Sequence, residues 1–392
     1  MSSRRRSSSA APLEDENLLP EILLRLPPQP SSLPRASLVC KRWRSVASDP
    51  GFLRRFRIHH RRSPPLLGCF VQDDEHHAIS FLPTSEPPNR VPPGRFSLQF
   101  KPGSRFTLLD CRHGLVLVLM SHEMRHQFVV WDPVTGDKRR LSYPPRFDPR
   151  TTLVNGAVLR AAGDAQHFQV VFLAARNYGI ASAVACVYSS ETGVWGNLVS
   201  VPISSESERG SAFDQILSVI AVSRQPAVLV GDSIYWILTC SSGILEFNFE
   251  MQSLAVIPMP NVNRDHFIKF IRADSGGLGF LDMSSFTVQL WERTTDCNGV
   301  APWRLRRTIE LAKLLPLNPK KDNIMIEAFA EENNMVFLST LNNIYVLHLQ
   351  SLELKKIPKT DSGSRYHPYE SVYNADVGGE HGRAELFAQC IG

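Results

Sequence analysis

The sequence predicts an α+β chain, with a small helical module near its start and a much larger all-β domain after it. Three observations lead there. Apolar residues at helical spacing are confined to the first stretch of about 57 residues. From residue 66 onward, short β-branched and aromatic runs alternate with Gly, Pro, Asn and Asp clusters, the signature of strands and turns. Charge also segregates: residues 1–62 hold 13 Lys/Arg against 5 Asp/Glu, and the rest holds 30 against 33, so the whole positive excess sits in the first segment. At 392 residues, 43% hydrophobic and 21% charged, the chain has the material for a sizeable core.

Taken in order, the opening MSSRRRSSSAAP reads as a basic tail over residues 1–11, preferred to a nuclear-import signal at Arg4–Arg6 or a transit peptide. The first helix follows. Leu18, Leu19, Ile22, Leu23 and Leu26 fall at offsets 0, 1, 4, 5 and 8 and so share one helix face. Glu14, Asp15 and Glu16 lie on the favourable side of its dipole, Pro20 suits its first turn, and Pro27 and Pro28 stop it. A second helix is expected from Ser32 through LPRASLVCKRWRSVA, with Ala36, Val39, Cys40, Trp43, Val46 and Ala47 as its apolar face. Asp49 and Pro50 give the cap and first turn of a short third helix, Gly51–Phe56. Residues 58–65 form a linker.

The clearest strands beyond it are Leu115–Met120, Gln127–Trp131, Phe168–Leu173, Val184–Tyr188, Ala227–Val230, Ser233–Leu238, Ile244–Phe249, Thr287–Trp291, Met335–Leu338 and Ile344–Leu349. A single turn of helix is expected near Ile309–Leu315. Four stretches end alike: FVVWDPVTGDKRRLSYPP, VYSSETGVWGNLVSVP, ILEFNFEMQSLAVIPMP and IYVLHLQSLELKKIP. Each is a strand, a turn, a second strand and a proline. A loose repeat of that kind fits the blades of a β-propeller, with a large β-sandwich as the alternative. Asp132–Gly136 and Glu191–Gly193 read as hairpin turns. Trp131, Trp195, Trp236, Trp291 and Trp303 read as blade-packing aromatics.

Residues 13–57 resemble the F-box. The matching pieces are Leu13, LLPEILLRLPP at 18–28 and LPRASLVCKRWRSVASDPGFLRR at 33–55, with LVCKRW at 38–43 the most specific. Glu14 and Asn17 depart from the usual proline and apolar residue at the edge of the motif. The remainder resembles the C-terminal associated domain of plant F-box proteins, through SPPLLGCF at 63–70, LVGDSIYWIL at 229–238 and ILEFNFEMQSLAVIPMP at 244–260.

The resemblance implies an F-box over residues 12–57 and a propeller of five to seven blades over residues 66–392. It also implies a role: a non-catalytic substrate adaptor of a Skp–cullin–F-box ubiquitin ligase. The F-box would dock on a Skp-type adaptor, and the β domain would hold a protein substrate. The residues implied in docking are Leu18, Leu19, Ile22, Leu23, Leu26, Pro27, Leu38, Val39, Cys40 and Trp43. A non-degradative scaffold and a basic nucleic-acid-binding module are the rival readings. The second rests on Arg54, Arg55, Arg57, Arg61 and Arg62, which no nucleic-acid motif accompanies.

Other patterns carry less. His122-Glu123-Met124-Arg125-His126 has the form HExxH, which binds zinc when both histidines share one helix face. Here it lies between two strand-like runs and reads as a hairpin loop. His59–His60 and His76–His77 read as surface pairs. GGLGF at 276–280 lacks the lysine and the strand–Gly–helix setting of a phosphate loop. Seven scattered cysteines with no CxxC argue against a disulfide framework and a cysteine zinc site, and point to a reducing compartment, nucleus or cytoplasm. No cofactor, metal or membrane span is expected.

Overall fold

The computed structural model describes residues 18–73, 77–101, 103–122, 125–145, 147, 154–160, 167–176, 182–203, 225–238, 243–259, 267–294, 301–315, 323–358 and 365–374. The tail, Leu13, Glu14, Asn17, His76 and Cys240, Cys297 and Cys390 lie outside them. The chain divides into two compact units. One comprises residues 1–67 with 83–92 and 370–392, the other residues 68–82 and 93–369.

The first unit is helical. Its helices are α1 (Leu18–Leu24), α2 (Ser32–Ser37), α3 (Lys41–Ala47) and α4 (Pro50–His59). The long second helix expected from the spacing is two helices. Cys40 is extended at φ −162° and breaks the run. The preceding amides of Leu38 and Val39 bond back only three residues, to Arg35 and Ala36, which tightens and ends the helix. The break turns Leu38 and Val39 outward, where a continuous helix would have turned Val39 inward. The third predicted helix forms as expected but runs on to His59. Asp49 accepts a hydrogen bond from the Phe52 amide at 2.7 Å, and Pro50 opens the first turn.

The core of this unit is Leu19, Leu23, Leu24, Leu33, Ala36, Ala47, Phe52 and Phe56, joined by Val372. His60 is half-buried and tied into the module. Its ring packs on Phe56, with centroids 4.5 Å apart, and its Nε2–H donates to the Leu24 carbonyl at 2.9 Å. It thereby ties the end of α4 to the end of α1, and burial lowers its pKa. Residues 83–92 contribute Asn89, whose Oδ1 accepts from the Ser31 hydroxyl at 2.7 Å.

The second unit is a six-bladed propeller, and 25 strands among the described residues form its six sheets. Blade one holds β1 (Leu66–Asp73), β2 (Ala78–Pro83) and β3 (Leu98–Gln99). Blade two holds β4 (Arg105–Arg112), β5 (Leu115–His122), β6 (Arg125–Trp131) and β7 (Lys138–Ser142). Blade three holds β8 (Val154–Arg160), β9 (Phe168–Arg176), β10 (Ser182–Ser189), β11 (Val194–Trp195) and β12 (Val199–Pro202). Blade four holds β13 (Val228–Val230), β14 (Ser233–Leu238), β15 (Gly243–Asn248) and β16 (Ser253–Pro258). Blade five holds β17 (Phe267–Arg272), β18 (Leu278–Ser284), β19 (Thr287–Arg293) and β20 (Trp303–Glu310). Blade six holds β21 (Met325–Ala330), β22 (Met335–Ser339), β23 (Ile344–His348) and β24 (Leu354–Ile357). β25 (Tyr366–Glu370) returns to pair with β1 and completes blade one in the order β25-β1-β2-β3.

Blades two and four to six are antiparallel meanders in sequence order, and in blade three both β11 and β12 pair with β10. The first strands of successive blades approach one another, β4 with β8, β13 with β17 and β17 with β21, so they surround the axis. The blades pack through apolar faces. Phe128 and Tyr143 meet Phe172 edge to face between blades two and three, and Phe280, Trp291 and Trp303 pack within blade five. Trp131 and Trp236 are buried, as expected of blade aromatics.

Gly68, inside SPPLLGCF, shows why that position is glycine. A Cβ there would run into the Leu82 carbonyl oxygen and stand 2.6 Å from the Phe81 ring of the paired strand. Gly68→Ala is therefore expected to cost about 1–3 kcal/mol by overpacking, read as a lowered urea midpoint. In the HExxH stretch β5 ends at His122 and β6 begins at Arg125, and these two residues pair in register, while Glu123 and Met124 lie outside the described residues. Its histidines thus stand on successive strands, not on one helix face. Gly276, at φ +82°, turns β17 into β18, which gives GGLGF a role in a hairpin.

Candidate functional site

The docking residues read from the sequence separate into three groups. Leu18, Leu38 and Val39 are exposed by 44%, 56% and 63%, and Cys40 and Pro27 are exposed with them. Ile22, Leu26 and Trp43 are half-buried. Leu19 and Leu23 have no exposed surface. A side chain without surface cannot touch a partner while the module keeps this fold, so the structure reassigns these two to the core. The reason is geometric: the five apolar positions from Leu18 to Leu26 span more than one face, and the inner part of that arc meets Phe52, Phe56 and Leu33.

What remains outside is an apolar ledge at the α2–α3 break. Leu38, Val39 and Cys40 stand there consecutively, between Arg35 and Lys41, both exposed. Exposed apolar side chains in a row, not covered by their own module, mark an interaction surface. Ile58 on α4, 47% exposed, is a further apolar residue that the sequence reading stopped short of by ending the helix at Phe56. The basic run is part of α4 and the turn beyond it. Arg55 pairs with Glu21 across the module at 2.6 Å, on the surface of both residues.

The propeller has a second polar feature, at its axis, which the sequence reading did not single out. Arg112, at the end of β4, is buried. Its Nη2 donates to Glu331 at 2.7 Å and to the Ala227 carbonyl at 2.6 Å, and its Nη1 donates to Asp110 at 3.2 Å. Asp110 in turn accepts from the Val158 amide of β8 at 2.9 Å. Burial pushes the Asp110 carboxyl up to about 6 against the pull of Arg112, while Asp110 and Glu331 hold the guanidinium firmly protonated.

Lys269 on β17 is also buried, and burial lowers it to about 8 against the opposing fields of Glu327 and Glu331. His367 on β25 is pushed down to about 3, by burial first and then by the positive charges of Lys269 and Arg365, so it is neutral at pH 7. Two β-bulges build the cluster. One lies between Leu108 and Asp110 on β4, the other between Ile326 and Ala328 on β21, beside Glu327. A bulge re-aims the side chain next to it. The available signal was a lone charge inside an apolar strand, as in RFTLLDCR and FIKFIR.

Near the far ends of β17 and β21 a polar pocket of about 450 Å³ is lined by Arg272, Asp274, Glu331, Glu332, Asn334 and His348 among others. Its groups satisfy one another: Arg272 donates to Glu332 at 3.0 Å, and Asn334 to Asp274 at 2.7 Å. Among the described residues no group of His, Cys, Asp and Glu is placed to hold a metal ion, and no helix is long and apolar enough to cross a membrane.

Comparison with known proteins agrees with both units. Residues 16–59 match the F-box-like family, and residues 107–373 match the β-propeller of the F-box protein AT5G49610-like family. The putative F-box protein At1g47765 of Arabidopsis thaliana is 41% identical over 70 residues, 18% of this chain and 17% of that protein. F-box protein At1g49990 of the same plant is 24% identical over 296 residues, 63% of this chain and 62% of that protein. The chain thus spans less than two thirds of the length of either relative. Among solved structures, TolB from Acinetobacter baumannii aligns over 81% of this chain and 73% of its own, at 12% identity and a TM-score of 0.42. With a family match over most of its length and an F-box-like match ahead of it, the chain belongs to the plant F-box proteins that carry an AT5G49610-like β-propeller.

Proposed function

We propose that this protein recruits substrates to a Skp–cullin–F-box ubiquitin ligase. Its helical unit docks on a Skp-type adaptor, and its propeller holds the protein to be modified. The observation that supports this most is the Leu38–Val39–Cys40 ledge, an apolar strip left outward by a helix break inside the most specific part of the F-box motif. Leu18, with the partly exposed Ile22 and Leu26, extends the apolar surface on offer. In this role the chain performs no bond chemistry. It raises the effective concentration of a substrate lysine at the charged conjugating enzyme, which is catalysis by proximity.

The test is capture of the full-length chain by a purified Skp-type adaptor. Val39→Asp with Leu38→Ser is expected to weaken capture by about thirtyfold, the cost of losing a hot-spot anchor of about 2 kcal/mol. Both side chains are exposed, so circular dichroism should show the variant folded. Failure of the intact, folded chain to bind the adaptor would overturn the ligase reading. Capture without ubiquitination of a bound partner would move the assignment to a scaffold. Binding to nucleic acid that falls steeply with salt would instead favour the basic run of α4 as a phosphate-binding surface.

A further inference from the structure

We propose that substrates are read at the end of the propeller axis where β17 and β21 begin, and that this surface takes an acidic peptide segment bearing large apolar side chains. The inference rests on the adaptor reading for the word substrate, and on the following geometry for the surface.

Phe267 and Met325 are the first residues of the inner strands of blades five and six, which lie side by side. Both are large, apolar and outside: Phe267 is 45% exposed and Met325 39%. Leu341 joins them from the turn between β22 and β23. It is 71% exposed and stands two residues beyond Ser339, the register partner of Met325. Three large apolar side chains exposed at one end of two neighbouring blades are the mark of a docking surface.

The charge at that end sets the partner's chemistry. Lys269 lies two residues along β17 from Phe267 and so on the same side of the strand. Among the described residues its ammonium makes no hydrogen bond or ion pair and feels only the more distant charges of Glu327 and Glu331, although the residue is only 6% exposed. A buried cation left that way is an invitation to an acceptor. His367, under the field of Lys269, is likewise buried, and its Nδ1 has no partner among the described residues. Exposed Lys101 and Arg105 stand just before and at the start of β4, and Arg365 just before β25, at the same end of the axis. Among the described residues, two carboxylates at this end are already engaged. Glu310 pairs with Lys313 at 2.6 Å, and Glu327 accepts from the Ser339 hydroxyl. A peptide carboxylate meets Lys269 and the basic rim favourably, whereas a basic peptide meets repulsion.

The experiment is selection of phage-displayed random dodecapeptides on the full-length chain, followed by binding of the enriched synthetic peptides. Enrichment of Asp/Glu together with Leu, Phe or Met is expected. Affinity should fall at least tenfold for Phe267→Ser/Leu341→Ser and for Lys269→Met, with melting curves showing each variant folded. Leu341→Ser alone, at the most exposed of the three positions, supplies a variant that folding cannot compromise, and it should lose severalfold. Enriched peptides that are basic, peptides indifferent to these substitutions, or no enrichment at all would overturn the inference. Adaptor capture is measured separately on the same preparations. If capture succeeds and peptide selection fails, the surface is wrong and the ligase reading stands. If selection succeeds and capture fails, the surface stands and the ligase reading is wrong.

Discussion

Arg112→Met is expected to destabilise the propeller by about 3–5 kcal/mol, the cost of removing one partner from a buried ion network. The guanidinium lies at the end of β4 and is the shared partner of Asp110 and Glu331. It also bonds the carbonyl of Ala227, just before β13, and Asp110 carries the connection on to Val158 of β8. Three blades therefore meet at one side chain, and a fourth joins through Asp110. Methionine fills the volume but leaves two carboxylates without a counter-ion in low dielectric. Urea denaturation reads the effect as a lowered midpoint. The triple variant Arg112→Met/Asp110→Asn/Glu331→Gln should regain most of the loss, because no uncompensated charge remains. A single variant as stable as the parent would show that the axis gains nothing from this network.

Lys269 gives the second large effect, in the opposite sense. Its folded pKa, near 8, lies below the ordinary value of 10.5. Between those pH values the unfolded chain holds the proton that the folded chain has released, so stability rises with pH across that window. The full gain is about 3 kcal/mol, since each tenfold change in proton affinity is worth about 1.36 kcal/mol. Below pH 8 the folded state carries the buried ammonium, and the penalty is present in full. Lys269→Met should therefore be the more stable protein at pH 7.5, and its advantage should vanish by pH 10.5. Comparing the two proteins at each pH cancels tyrosine and cysteine titration. An advantage that does not change with pH would mean that Lys269 is solvated in the folded state.

The strands read from sequence are mostly the middle strands of blades. β5, β6, β9, β10, β14, β15, β22 and β23 are covered on both faces, so they appear as continuous runs such as LVLVLM and IYVLH. The outer strand β20 escaped, and β7 and β24 showed only as the second strands of the repeated endings, because a solvent edge is built from charge: WRLRRTIE, KRRLS and LKKI. The inner strands β4 and β17 escaped for a different reason, since the charges in RFTLLDCR and FIKFIR serve the axis. The four repeated endings correspond to the third and outer strands of blades two, three, four and six. In blade five a longer connection separates β19 from β20, which hid the same unit. In the helical unit, periodicity located the apolar residues correctly. It placed Val39 and Cys40 on one helical face with Trp43 because it carried one helix through a break, and local backbone geometry at Cys40 is not written in spacing.

The pairing of β25 with β1 bears on how the chain is made. Blade one has no inner strand until residues 366–370 exist, yet β1 begins at Leu66. On the ribosome, five blades can form in sequence while the first waits open, its β1 edge unpaired. Closing the ring is then the last and most non-local event, with the largest loop-closure entropy and the slowest rate. An unpaired edge is also where a chain meets its copies. Nascent chains of this protein are thus most exposed to misassembly in the interval before β25 emerges, and a chaperone acting on them has one particular edge to guard.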